Sequence, residues 1–142
     1  MTTEKIQKPT VEELNEFLIK EFPQAQCVVE SVDNMSAVVR HKVGHNELRP
    51  GGTVSGPVMM TTADTALYMA ILHEIGLVAL AVTTNLNINF LRKPAADRDI
   101  IGECRLIKKG KVLVIGDVTL YSEGDERPVA HATGTYSIPP TR

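Results

Sequence analysis

One segment, GPVMMTTADTALYMAIL, constrains the fold more than any other part of this 142-residue chain. Pro57 just inside its start and Gly76 shortly after its end are residues that typically begin and end a helix. The side chains between them are apolar or small around nearly the whole circumference, which is typical of a helix wrapped by a sheet. Asp64 is the one charged residue in the segment. An unpartnered carboxylate in such a helix is costly, so its presence needs a structural or a chemical reason.

Strand patterns fill most of the remaining chain. QCVVESV and MSAVVRHKV precede the central helix, and DIIGECRLIKKG, KVLVIGDVTLYS and PVAHATGTYSI near the C-terminus predict an antiparallel meander. In residues 82–90 an apolar set alternates with a polar set, which predicts a strand with one buried face. The polar set consists of Thr83, Asn85, Asn87 and Asn89.

A capping box formed by Thr10 and Glu13 predicts an N-terminal helix over 10–22. We expect a flexible segment over 1–9, and one α+β domain over 1–142 in which a curved antiparallel sheet surrounds the central helix. No internal repeat or linker interrupts the sequence.

Composition excludes several functions. A net charge of −2 gives no basic field for nucleic acid or an anionic membrane surface. Cys27 and Cys104 stand singly in apolar stretches, which favours free core thiols over a disulfide or a metal site. The polar N-terminus is unlike a signal peptide, and the apolar segment is short for a membrane span. We expect a cytoplasmic protein with no metal, no cofactor, no nucleic-acid partner and no membrane partner.

The start of the central helix is the first candidate for chemistry. Ser55 or Gly56 caps it, and the unpaired N–H groups there can hold a carbonyl oxygen that gains negative charge during acyl transfer. Pro57 has no N–H, so Gly56 or its neighbours must supply the donor. Asp64 lies two turns further along the same face and is a candidate general base or nucleophile. The alternative is a structural carboxylate that caps a loop or pairs with Arg49 or another arginine.

Basic side chains at strand ends in the second half could together hold a phosphate-bearing ligand, although each alone is also ordinary solubilising charge. These residues are Arg92, Lys93, Lys108, Lys109 and Lys111. The three asparagines of residues 82–90 suggest a polar interface or site, because asparagine is depleted in strands. A solvated face is the simpler alternative for each asparagine.

The chain resembles the hotdog-fold acyl-CoA thioesterases of the phenylacetate-pathway, or PaaI, type over about residues 25–138. The resemblance rests on GTVSGPVMMTTADTA, TTNLNINFLRKP, KKGKVLVIGDVTLYSEG and VAHATGTY. The family motif N-x-x-G-x-x-H-G-G, followed after six residues by an acidic residue, matches at Gly52, Gly56 and Asp64. Arg49, Ser55 and Pro57 stand where the motif has asparagine, histidine and its second glycine.

The resemblance implies a hotdog homodimer, with a tetramer of two dimers as a further possibility. The Gly56 N–H would polarise the thioester carbonyl, and Asp64 of the neighbouring subunit would activate water or attack directly. Thr83 matches a residue that helps to place the water.

The resemblance further implies that Arg92, Lys108, Lys109 and Lys111 contact coenzyme A phosphates, with Arg49, Ser55 and Asn89 as further substrate-binding candidates. The expected substrate is a small, aryl or medium-chain acyl-CoA. The alternative is a non-catalytic module that binds acyl-CoA or an acyl group. A hotdog dehydratase ranks last, because His73 follows Asp64 within the helix rather than in a shared loop.

Overall fold

A computed structural model describes residues 7–140 of the chain. Its two α-helices are α1 (Val11–Glu21) and α2 (Gly56–Ile75). The strands are β1 (Cys27–Asp33), β2 (Ser36–His41), β3 (Leu48–Arg49), β4 (Thr53–Val54), β5 (Val82–Phe90), β6 (Ile100–Lys109), β7 (Leu113–Ser122) and β8 (Ala130–Ser137). Single 3-10 turns lie at Pro23–Ala25 and His45–Glu47. The α+β class is confirmed.

Six strands form one antiparallel sheet in the order β1-β2-β6-β7-β8-β5. The meander predicted for the C-terminal half is confirmed as β6-β7-β8. β5 pairs with β8 and lies at the outer edge of the sheet. The strands β3 and β4 form a separate small pair directly before α2. One edge of the main sheet is therefore a nine-residue strand that follows α2 in the chain.

The predicted capping box is present at the start of α1. The Thr10 hydroxyl accepts from the Glu13 N–H at 3.1 Å, and the Glu13 carboxylate accepts from the Thr10 N–H at 3.0 Å. The Asn15 side chain then bonds both backbone groups of Val29, accepting from its N–H at 2.7 Å and donating to its carbonyl at 3.0 Å. These bonds fasten α1 to β1 beside an irregularity in that strand.

The segment just before α1 is attached to the far end of α2. Lys8 Nζ lies 2.9 Å from the Glu74 carboxylate, and His73 Nδ1 donates to the Pro9 carbonyl at 2.9 Å. Burial raises the pKa of Glu74, but the Met35 N–H and the Lys8 ammonium outweigh it and lower the pKa below its usual value. Lys8 and Pro9, which we expected to be flexible, are thus anchored, whereas residues 1–6 lie outside the described residues.

The two cysteines are free and buried, as predicted. Burial raises the pKa of the Cys27 thiol to about 11 and that of the Cys104 thiol to about 12. Both thiols are therefore core side chains. Neither α1 nor α2, the helices of the described residues, combines the length and the apolar content needed to cross a membrane.

The central helix lies very close to the middle of the sheet. Leu67 of α2 is fully buried over Gly116 and Gly134, which are register partners on β7 and β8. A Cβ atom at Gly116 would lie 2.4 Å from Leu67 Cδ1, and one at Gly134 would lie 2.6 Å from Leu67 Cδ2. Both glycines are therefore required by close approach, and they set how far α2 stands from the sheet.

This contact yields a stability prediction. Gly116→Ala should lower the free energy of unfolding by about 1–3 kcal/mol, because the added methyl overpacks the core. Leu67→Ala removes the clashing methyl groups, so Gly116→Ala should cost clearly less in that background. Urea unfolding of the four proteins measures the coupling, with Thr133→Ala on the exposed face of β8 as control. Strictly additive effects would show that Leu67 does not set the helix-to-sheet distance.

Candidate active site

A tight turn leads into the start of α2. The β3-β4 pair is joined through Gly51 and Gly52, whose φ angles of 98° and 76° lie in the left-handed region that favours glycine. The Gly52 N–H donates to the Arg49 carbonyl at 3.1 Å, which closes the turn. The segment of the family motif from Arg49 to Gly56 is therefore a hairpin that ends at a helix N-terminus.

Of the first three backbone positions of α2, one has an N–H with an acceptor, one has no N–H, and one has an N–H that is free within the described residues. Ser55 is the N-cap, and its hydroxyl accepts from the Val58 N–H at 3.3 Å. Pro57 has no N–H. Gly56 is the first helical residue, and its N–H is a helix-start donor that has no intrahelical acceptor. The Gly56 N–H, which the sequence predicted as the donor for a carbonyl oxygen, is thus the backbone donor at this helix start that remains available to a ligand.

A cavity of about 430 Å³ lies against this helix start. Its lining consists of Arg49, Thr53, Val54, Gly56, Met59, Phe90, Leu91, Arg92, Lys93 and Pro94. Three cationic side chains and no carboxylate belong to this lining, and the positive end of the α2 dipole adds to their field. A Cβ at Gly56 would lie 3.4 Å from Phe90 Cζ, so the Gly56 backbone sits beside an aromatic ring. The cavity suits a ligand with an anionic part and an apolar part.

Asp64 lies two turns along α2 and is half-buried. Its Oδ1 accepts from Thr83 Oγ1 at 2.7 Å and from Tyr136 Oη at 3.0 Å. Both donors are neutral hydroxyls. Within residues 7–140 no ion pair joins Asp64 to a cation. Arg49 is exposed and lines the cavity beside Gly56. Within one subunit, the alternative of a structural Asp64–Arg49 pair is therefore not supported.

Thr83 and the asparagines do not share a face, contrary to the sequence prediction. Thr83 pairs with Tyr136, but Asn85 pairs with Thr135, so Thr84 is an extra residue in β5. One extra residue reverses the alternation of side chains. Thr83 therefore points toward α2 and reaches Asp64, whereas Asn85 points away from the helix.

Asn89 is also remote from the cavity. It pairs with His131, which lies on the outer face of the sheet and bonds Asp117 there. Phe90, the next residue along β5, lines the cavity, and successive residues of a strand point to opposite faces. The binding role predicted for Asn89 is not supported within one subunit.

The lysine cluster lies at the opposite end of the sheet from Arg92. Lys109 on β6 is joined by successive register pairs across the sheet to Val114, Tyr136 and finally Thr83 on β5. Arg92 instead lies just beyond Phe90, at the other end of β5. Thr83 and Phe90 are seven residues apart along β5, or about 23 Å. Lys109 Nζ also lies 3.6 Å from Glu74. One subunit therefore brings Arg49, Gly56 and Arg92 together but not Lys108, Lys109 and Lys111.

Tyr136 is the site residue that sequence reasoning missed. It is 2% exposed and alternates along β8 with outward-facing residues, as Ala132 and Gly134 do. A tyrosine at an inward position of a predicted strand needs a buried partner for its hydroxyl, and this signal was available. Burial and, next, the Asp64 charge hold the pKa of Tyr136 well above its ordinary value. Its hydroxyl is a permanent donor.

No metal centre is evident in the described part of the chain. Nowhere between residues 7 and 140 do three or more His, Cys, Asp or Glu side chains converge in a way that could hold an ion.

The chain matches known proteins over most of its length. The sequence profile of the Thioesterase superfamily matches residues 51–129. A candidate esterase of Saccharolobus solfataricus is 33% identical over 131 residues, covering 91% of this chain and 85% of the relative. A solved structure of a candidate thioesterase from a Silicibacter species is 45% identical with a TM-score of 0.85, covering 92% of each chain.

Two more distant solved structures share the fold. PaaI from the phenylacetic acid degradation operon of E. coli has a TM-score of 0.73 at 23% identity, covering 89% of this chain and 90% of that one. A hypothetical thioesterase from Streptococcus pneumoniae, solved with coenzyme A, has a TM-score of 0.74 at 22% identity. That match covers 94% of this chain and 99% of the other.

The profile match and the relatives show that the chain belongs to the Thioesterase superfamily. Its antiparallel sheet packed around one long helix is the hotdog fold, with α1 as an added N-terminal helix. The protein is a thioester hydrolase of this superfamily, and the predicted resemblance to PaaI-type proteins is confirmed in the fold.

Proposed function

We propose that the protein hydrolyses acyl-CoA thioesters in a site shared by two subunits. The Gly56 N–H of one subunit polarises the thioester carbonyl, and Asp64 of the partner subunit acts on the same carbonyl carbon. The observation that carries this proposal is the placement of Gly56 and Asp64 at opposite ends of the exposed strand β5.

One subunit alone cannot complete the site. Gly56 and Asp64 are eight residues apart on α2, which places them about 12 Å apart along the helix axis. An oxyanion donor lies about 3 Å from the carbonyl oxygen, and a base acts within hydrogen-bond reach or through one water. The two groups of a single chain are too far apart to serve one thioester.

The edge strand β5 offers a way to pair two subunits. Val82 and Phe90 at its two ends are 53% and 51% exposed, and Leu91 beyond it is 51% exposed. A long edge with unpaired backbone groups and exposed apolar side chains is a template for pairing with another strand. A second copy of the same strand, related by a two-fold axis, is the natural partner.

Antiparallel pairing of β5 with its own copy would complete the site. Gly56 lies beside Phe90 at one end of the strand, and Asp64 is bonded to Thr83 at the other end. A two-fold axis at the middle of β5 sets the Thr83 end of one strand against the Phe90 end of the other. Gly56 of one subunit then faces Asp64 of the partner subunit, twice per dimer.

The chemistry needs only these groups and water. As a general base, the Asp64 carboxylate takes a proton from water while the water oxygen bonds to the carbonyl carbon. The oxyanion is held by the Gly56 N–H and the positive end of α2. Collapse breaks the C–S bond, and the proton goes to the departing sulfur, which gives a carboxylic acid and coenzyme A. Direct attack by the carboxylate, with later hydrolysis of the anhydride, uses the same placement.

The cavity beside Gly56 supports an acyl-CoA substrate. Arg49, Arg92 and Lys93 provide cationic groups for phosphates, and Phe90 and Leu91 provide apolar surface. The structure from Streptococcus pneumoniae that shares this fold was solved with coenzyme A. A small, aryl or medium-chain acyl group follows from the PaaI-type resemblance. The smallest assembly that completes the site is a homodimer, and a tetramer of two dimers stays a prediction. Free buried thiols favour a cytoplasmic setting.

Asp64→Asn should abolish most turnover. The amide keeps the size and polarity of the side chain but removes its basicity, so turnover of a panel of acyl-CoAs should fall about 10²–10⁴-fold. The dimer and the melting temperature should be retained. Asp117→Asn, the same exchange on the outer face of the sheet, is the matched control and should retain activity. A folded Asp64→Asn dimer with near wild-type turnover would favour the non-catalytic binding module instead.

Coenzyme A binding should depend on Arg92, which lines the cavity beside Gly56. Arg92 Nε donates to the Pro128 carbonyl at 3.1 Å, which holds the guanidinium at the cavity. Arg92→Gln should weaken coenzyme A binding several-fold at low salt and less at high salt, since salt screens such contacts. Calorimetry with Lys108→Gln as the comparison variant measures this. An unchanged affinity for Arg92→Gln would contradict this role, and an equal loss for Lys108→Gln would show that the lysine cluster of the partner subunit also holds the phosphates.

A further inference from the structure

We propose that Tyr136 is a positioning residue for the Asp64 carboxylate, which it pins by one oxygen so that the other faces the reacting atoms. This inference rests on the proposed function of Asp64. It adds a residue that lies 72 positions away in the chain and on a different element.

The two side-chain hydrogen bonds to the Asp64 carboxylate both go to the same oxygen. Thr83 Oγ1 and Tyr136 Oη both donate to Oδ1, at 2.7 and 3.0 Å. Neither of them donates to Oδ2. Without such donors a carboxylate turns readily about its last torsion, since sp³–sp² torsions are broad. Two donors on one oxygen hold the group in a single orientation and leave the lone pairs of Oδ2 for a water or a carbonyl carbon.

Tyr136 is held firmly enough to impose that orientation. It lies on β8, between β7 and β5, and its ring stacks on Tyr68 with centroids 5.5 Å apart and planes at 21°. The Tyr68 hydroxyl in turn donates to the Ala79 carbonyl at 3.0 Å. The rings of Phe17 and Phe22 meet Tyr68 edge-on at 5.9 and 6.3 Å. A continuous series of aromatic contacts therefore leads from α1 to Tyr136, which bonds the carboxylate.

Thr83 is the less constrained of the two donors. It lies on the edge strand, is exposed in the single subunit and precedes the extra residue Thr84. Its position depends on how β5 pairs with a second copy. Tyr136 is fixed by the core of its own subunit, so it can orient Asp64 before and after subunits meet.

The protonation state of the tyrosine fits this role. Burial, followed by the charge of Asp64, raises the pKa of the Tyr136 phenol, so its hydroxyl keeps its proton at neutral pH. The pKa of Tyr68 is also raised, by burial first and then by the charges of Glu21 and Asp64. The titratable groups around the carboxylate are thus two neutral phenols, with the Thr83 hydroxyl beside them.

Tyr136→Phe tests the proposal, because it removes the hydroxyl and keeps the stacked ring. Turnover should fall about tenfold with little change in KM, the effect expected on losing one hydrogen bond to a charged group that acts in the transition state. The acid limb of the pH–rate profile should move to higher pH, because the ionised carboxylate loses a donor. Tyr121→Phe, on the outer face, is the matched control and should leave both unchanged.

Thr83→Val provides a second variant in case Tyr136→Phe folds poorly. It removes the other donor from the same oxygen at an exposed edge, and it should move the acid limb in the same direction.

Two results would overturn the proposal. One is a Tyr136→Phe enzyme with wild-type turnover and an unchanged pH–rate profile. The other is a lower melting temperature with unchanged turnover per folded molecule, which would make Tyr136 purely structural. Both leave the proposed function intact if Asp64→Asn is inactive, whereas an active Asp64→Asn enzyme would overturn the proposed function itself.

Discussion

The close contact between α2 and the middle of the sheet is the constraint on which the rest of the structure depends. Leu67 fits over a pair of glycines on adjacent strands, so the helix lies nearer to the sheet than side chains there would allow. That contact fixes the height and direction of α2. It thereby sets where the helix presents its N-terminal donor at Gly56 and, two turns later, the Asp64 carboxylate. The positions of both groups of the proposed site therefore depend on one packing contact in the core.

The same arrangement explains why a charge is kept in a helix that is otherwise apolar. Asp64 is half-buried, it has two hydroxyl partners, and the structure provides no cation to neutralise it within residues 7–140. A carboxylate that serves only stability is usually paired or exposed. Here the side chain lies beside the edge strand that a second subunit would cover. Its placement makes sense when the helix is considered as half of a shared site.

Much of the fold was predictable from sequence because its strongest signals are local. The capping box of Thr10 and Glu13, the apolar circumference of α2 and the alternation in the C-terminal strands each depend on near neighbours in the chain. Gly56 and Asp64 were predictable for the same reason, as they lie on one helix at a fixed spacing. The pairing of β5 with β8 was not, because strand order depends on contacts between distant segments.

The features of the site that the sequence pattern did not reveal have a common physical origin. One extra residue, Thr84, turns Thr83 toward Asp64 and leaves Asn85 on the outer face, and nothing in the local alternation reveals it. Within one subunit, the register puts the lysines near residue 109 at the end of the sheet opposite Arg92, so a single chain does not bring them together. The Tyr136 bond to Asp64 joins two residues that lie 72 positions apart in the chain. Site geometry therefore required the register, which the sequence pattern left undetermined.

The shared site is tested most directly by complementation between two inactive subunits. One carries Asp64→Asn, and the other carries Gly56→Pro, which removes the N–H; the extended backbone of Ser55, with φ −71° and ψ 152°, already accommodates a following proline. Each variant alone should be inactive. A heterodimer isolated with two affinity tags should regain about half of the wild-type turnover, because one of its two sites is intact. A heterodimer as inactive as its parents would contradict the shared site.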